Sequence, residues 1–109
     1  MKELTELYIR LFNEKKIDEV ARLFHPDSIL TDPLNSFNNI NEIRNEIDKI
    51  FNSCENLSFS AKNIFYDEDQ QTSVIEFILD LDDIHLEGID VIQWKDNKIK
   101  ELRAYLNLE

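Results

Sequence analysis

The apolar residues of this 109-residue chain change their spacing once. Up to Phe51 they mostly recur every three or four positions, and beyond Leu57 they mostly alternate. The first spacing marks helices with one apolar stripe, the second marks strands with one covered face. Helical segments first and strands afterwards predict an α+β fold, with three N-terminal helices packed on one side of a curved, mainly antiparallel sheet.

The first helix is expected over Lys2 to Glu14, with Leu4, Leu7, Tyr8, Leu11 and Phe12 as its stripe. The second runs from Ile17 to Phe24 and is stopped by His25-Pro26-Asp27, because a residue before proline is pushed out of the helical region. A short strand, Ser28 to Asp32, and a loop, Pro33 to Asn38, lead to a third helix over Ile40 to Phe51. Asn39 and Glu42 form a capping box at its start. In the next strand Leu57, Phe59, Ala61 and Phe65 are expected to face inward. In the strand after it, Ile75, Phe77, Leu79 and Leu81 do so. Strands Ile84–Trp94 and Ile99–Leu106 complete an antiparallel meander, since only short turns separate them.

The formal charge is −11, and no Lys or Arg occurs between Asn63 and Trp94. Such a surface repels phosphate backbones and anionic membranes, so neither nucleic acid nor a membrane is an expected partner. No apolar run reaches the roughly 18 to 20 residues that span a bilayer. The first residues carry acids and no apolar signal core, so a cytoplasmic location is expected. The single cysteine, Cys54, excludes an intrachain disulfide. Without a linker or repeat, residues 1–109 read as one domain.

Asp90 stands out against this pattern. It shares a strand face with Ile84, Leu86, Ile92 and Trp94. A carboxylate on an apolar face must be paired, bound to a metal or protonated, because an isolated buried charge is too unfavourable. A protonated acid can donate a hydrogen bond. Asp90 is therefore either a functional group or a structural partner of Arg103 on the neighbouring strand. Tyr8 lies on its helix stripe, so its hydroxyl seeks a buried partner, which a backbone carbonyl can also supply. Asp32-Pro33 is an ordinary turn opener as well as a carboxylate at a loop edge.

The segments Leu7–Asn13, Ala21–Ser28, Thr31–Leu34, Gly88–Ile92 and Glu101–Tyr105 give the chain its resemblance to the NTF2-like superfamily, in the SnoaL-like and ketosteroid-isomerase-like branch. The resemblance implies a cone of three helices closing a bent sheet around a pocket. Ketosteroid isomerases use a helix-one tyrosine, an aspartate before a proline and an aspartate in a late strand, and Tyr8, Asp32 and Asp90 match these positions. The loop after Asp32 is shorter than in the isomerases, and the Arg-Asp pairing of related epoxide hydrolases has no match, because Gly88 stands where it wants a charge.

By this resemblance Asp32 acts as an ionised general base next to a carbonyl, while neutral Asp90 and Tyr8 hydrogen-bond the oxygen as it becomes an enolate. General bases contribute about 10² to 10⁴-fold, and placed oxyanion donors about 3 to 4 kcal/mol each. No metal or organic cofactor is implied. Phe12, Leu30, Phe59, Phe77, Ile92 and Trp94 are expected to bind the substrate. Two functions follow: isomerase-type or cyclase-type proton transfer on a small apolar carbonyl compound, or a non-enzymatic module for ligand binding or dimerisation. Either is expected to form a homodimer through the outer sheet face, where Val74, Ile78, Ile89 and Val91 lie.

Overall fold

With a single glycine in the chain, helix ends and turns must be made by other means. The computed structural model describes residues 1–107. Helix α1, Lys2–Asn13, buries Thr5, Tyr8, Leu11 and Phe12. It ends with Lys15 at φ 56°, a left-handed position usually held by glycine. Lys15 N–H donates to the Phe12 carbonyl and Lys16 N–H to that of Leu11, which satisfies the last turn. The Lys15 ammonium then donates to the Cys54 carbonyl at 2.6 Å, tying this end of α1 to the end of the third helix.

Helix α2, Ile17–Arg22, is shorter than its apolar pattern predicts. The carbonyl of Leu23 accepts a bond from Ile99 N–H at 2.7 Å, and Phe24 pairs with Ile99. A tertiary partner thus takes the backbone that would continue the helix. Strand β1 accordingly spans Phe24–Thr31 and begins before Ser28. Pro26 is tolerated inside it because the register slips between Phe24 and Ile29, leaving no ladder bond for the missing N–H. The expected loop after it contains a two-residue strand, β2, Ser36–Phe37, folded back on Leu30 and Thr31.

Helix α3, Ile40–Asn52, starts as expected at Asn39, whose side chain accepts Glu42 N–H at 3.0 Å. The Glu42 carboxylate in turn accepts Asn38 N–H at 3.2 Å, one residue before the donor of a standard capping box.

Strands β3 (Leu57–Asp67), β4 (Thr72–Leu81), β5 (Ile84–Lys95) and β6 (Lys98–Leu106) form the predicted meander. The sheet order is β2-β1-β6-β5-β4-β3, with only β1 and β6 parallel among the described strands. Asp96 and Asn97, at φ 52° and 63°, make the β5–β6 turn, whose twist matches that of the strands. The expected inward position of Phe65 is overturned. A bulge between Ala61 and Asn63 shifts the alternation of β3, so Phe65 is 56% exposed on the outer face. Ile64 and Tyr66 take the inward positions instead.

Helix α1 packs against β3 and α3 against β1, which covers the concave face of the sheet. At one end of that face three polar side chains close on one another. Trp94 Nε1 donates to Ser73 Oγ at 3.0 Å, and Thr5 Oγ1 lies 3.0 Å from the same oxygen and 2.9 Å from the Met1 carbonyl. The other end of the face opens into a cavity.

Candidate functional site

The cavity of about 180 Å³ lies between α1, α3 and the concave sheet. Its floor is buried: Tyr8 and Phe12 from α1, Leu30 from β1, Phe59 from β3, Phe77 from β4 and Asp90 from β5. Its half-exposed rim carries Asp32, Glu46, Ile50, Leu81, Leu86 and Leu106. Volume sets a limit on what fits. A dry apolar cavity of roughly 150 Å³ holds a benzene molecule. This one takes a ligand of about that size, below the roughly 300 to 1,000 Å³ of ordinary small-molecule pockets.

Four aromatic rings shape the floor. Tyr8 meets Phe59 edge-on, with centroids 6.2 Å apart, and Phe12 lies 4.7 Å from Phe59. Phe77 follows at 5.4 Å from Phe59. Phe77 can lie across β5 only because residue 88 is glycine. A Cβ there would stand 2.8 Å from the end of the Phe77 ring and 2.3 Å from the Tyr105 carbonyl oxygen. Gly88 therefore serves close packing and not an unusual φ.

Asp90 sits between Ile75 on β4 and Ala104 on β6. It is 5% exposed, and burial pushes its carboxyl up to about 7. Among the described residues no side chain or backbone group hydrogen-bonds its carboxyl and no cation pairs with it. The alternative pairing with Arg103 does not form. Arg103 lies opposite Val91, on the other face of the sheet, and its guanidinium binds the Glu101 carboxylate at 3.1 Å. The Tyr8 hydroxyl is also held well above its ordinary value, first by burial and second by the charge of Asp90. Both polar groups lie in the cavity wall, and at neutral pH both keep a proton in a substantial fraction of molecules.

Asp32 differs in kind. Its Oδ1 accepts the backbone N–H groups of Leu34 at 2.8 Å and Asn35 at 2.7 Å, and its own N–H donates to the Asn35 carbonyl. This is an aspartate turn, the local role the sequence allowed. The same bonds fix the carboxylate at the rim, with Oδ2 outside the turn.

Of the residues singled out by sequence, Tyr8, Asp32, Asp90, Phe12, Leu30, Phe59 and Phe77 meet in this cavity. Ile92 and Trp94 do not. They are buried two and four residues farther along β5, toward the Thr5–Ser73–Trp94 end, where α1 covers the sheet. Glu46 escapes sequence reasoning. Its signal lies in α3, where it falls three residues after Ile43 and four before Ile50, on the flank of the apolar stripe.

Comparison with known proteins places this geometry in a family. The model of the SnoaL-like domain matches residues 5–102. No curated protein sequence matches the chain. Among solved structures, an NTF2-like protein of unknown function from Cytophaga hutchinsonii superposes with a TM-score of 0.85 at 9% identity, over 97% of this chain and 88% of that one. A steroid delta-isomerase from Pseudomonas aeruginosa gives 0.79 at 18% identity, over 98% and 79%. A de novo designed protein with a curved β-sheet gives 0.81 at 11% identity, over 97% and 84%. At these identities the likeness extends to the fold alone. The matched span and the cone of three helices on a curved six-stranded sheet lead to one conclusion: this chain belongs to the SnoaL-like domain family of the NTF2-like superfamily.

Proposed function

We propose that the chain catalyses cofactor-free proton transfer on a small carbonyl compound, in the manner of an isomerase or cyclase. The observation that carries this reading is the pair Tyr8 and Asp90, two buried acids whose side chains make no hydrogen bond among the described residues, facing the same cavity as the fastened Asp32 carboxylate. A substrate carbonyl oxygen reaching the floor receives hydrogen bonds from Tyr8 and from protonated Asp90. Asp32 Oδ2 takes a proton from the neighbouring carbon, and negative charge moves onto the oxygen. The two donors hold that charge at the buried floor of the cavity. Asp32 then returns the proton to another carbon, and no electron or group leaves the system. The cavity volume limits the reacting part to about one ring.

Asp32→Asn is expected to lower turnover by about 10² to 10⁴-fold while the protein still binds phenols, which imitate an enolate oxygen. Tyr8→Phe and Asp90→Leu are expected to weaken that phenol binding. An unchanged rate in Asp32→Asn sinks the catalytic reading. Phenol binding that ignores both floor substitutions sinks the oxyanion site.

The second reading, a non-enzymatic ligand or dimerisation module, is favoured by the turn bonds of Asp32, which give that residue a structural role. Under either reading the outer sheet face forms a homodimer. Phe65, Ile89 and Tyr105 are exposed there, beside Val74 and Val91. Light scattering at tens of micromolar is the check, and a monomeric mass refutes the dimer.

A further inference from the structure

Charge in the cavity is one-sided. Asp32, Glu46 and Asp90 all line it, and its lining contains no Lys, Arg or His. Among the described residues none of the three acids enters a salt bridge, although Arg44, Lys62 and Arg103 all find carboxylates elsewhere. Asp90 adds an independent sign that a ligand belongs there: it is nine-tenths buried, in the cavity wall, and no group among the described residues bonds it. A metal ion does not fit this arrangement, because among the described residues no three His, Cys, Asp or Glu side chains are grouped to hold one. What fits instead is an organic cation that carries apolar surface. The rings of Tyr8, Phe12, Phe59 and Phe77 line the same space and give it apolar walls, which suit the uncharged part of such a ligand.

We infer that the ligand of this cavity is a small organic cation, a carbonyl compound bearing an ammonium group, whose charge is held at the rim by Glu46 and whose apolar part enters among the aromatic rings. This rests on the reading of the cavity as the substrate site and narrows its substrate class. Glu46 is the specificity-determining residue. It stands at the half-exposed rim, one helical turn from Ile50, where an amine can keep part of its water while the rest of the molecule is enclosed. The floor is left to the carbonyl. A ligand that brings a carboxylate to the rim meets Asp32 and Glu46 and no Lys, Arg or His in the lining, and is disfavoured.

The probes are benzylamine, benzyl alcohol and benzoate, which share one ring and differ in charge, alongside neutral phenol as a report on the floor that does not depend on the rim. Calorimetric titration at pH 7 and low salt is expected to rank benzylamine about tenfold above benzyl alcohol, which is about 1.4 kcal/mol. Benzoate is expected not to bind. In Glu46→Gln the preference for the amine is expected to fall to within about twofold, with phenol binding retained and an unchanged circular dichroism spectrum. Equal binding of the amine and the alcohol overturns the inference, as does a preference that survives Glu46→Gln, and phenol binding then leaves the site itself standing. Failure of every probe, phenols included, overturns the site and the inference together.

Discussion

Two sets of buried polar side chains lie on the same concave sheet face, and they are built in opposite ways. Thr5, Ser73 and Trp94 close on one another, so each buried donor has a protein acceptor. Tyr8, one helical turn from Thr5 on α1, and Asp90, four residues from Trp94 on β5, make no such bonds among the described residues and face a cavity. A satisfied buried network contributes to stability and fixes packing. A pair without protein partners removes stability to the extent that the cavity keeps water from it. The chain therefore keeps one polar set that helps it fold and another that hinders it. A hindrance held among aromatic rings is the expected mark of a site that meets a ligand.

The largest effect that tests this contrast is at the closed end. Trp94→Ala removes a buried indole and the donor to Ser73. It is expected to lower unfolding free energy by about 3 to 5 kcal/mol, the usual range for such a core truncation. Phenol affinity of the molecules that remain folded is expected to be unchanged, since Trp94 does not line the cavity. Chemical denaturation and titration on the same sample separate the two readouts. A folded variant that has lost phenol binding merges the two ends and breaks the comparison.

The two ends are also unequally legible in the sequence. Local spacing suffices for α1, α3 and the meander, because each apolar side chain reports its own face. It fails where a distant strand decides the outcome. Leu23 and Phe24 continue the helical pattern of α2, yet Ile99 claims their backbone for the sheet. Phe65 keeps its parity with Phe59 in the sequence, but the bulge after Ala61 inverts it. Asp90 can be recognised because one acid breaks an apolar alternation, whereas its relation to Arg103 depends on register. With Ala104 opposite Asp90, parity sends Arg103 to the other face. Trp94 and Ile92 share the parity of Asp90 but not its depth along the strand, and only the placement of α1 divides core from cavity there. Glu46 flanks the stripe of α3, but an acid in such a position is usually a solvated one, so spacing alone does not mark it.

The smaller effect has the opposite sign and appears only at one end of the pH scale. In the unfolded chain Asp90 titrates at about 3.9. In the folded protein burial raises it to about 7. Between those values the folded state binds more protons than the unfolded state, so stability falls as pH rises through this window. Below about 4 both states are protonated and the loss is absent; above about 7 it is complete. Asp90→Asn, which cannot ionise, is expected to match the parent protein near pH 4 and to exceed it at pH 8. Each tenfold change in proton affinity is worth about 1.4 kcal/mol, which sets a ceiling on the order of 4 kcal/mol. Water entering the cavity lowers the realised gain below that ceiling. Urea denaturation at pH 4, 6 and 8 measures it. Parallel pH curves for the two proteins would show that Asp90 is already satisfied in the folded state, and the distinction between a closed end and an open end would then fail at its most exacting residue. A gain that grows with pH, joined to loss of phenol binding in the same variant, identifies Asp90 as a residue kept for a ligand at the expense of the fold.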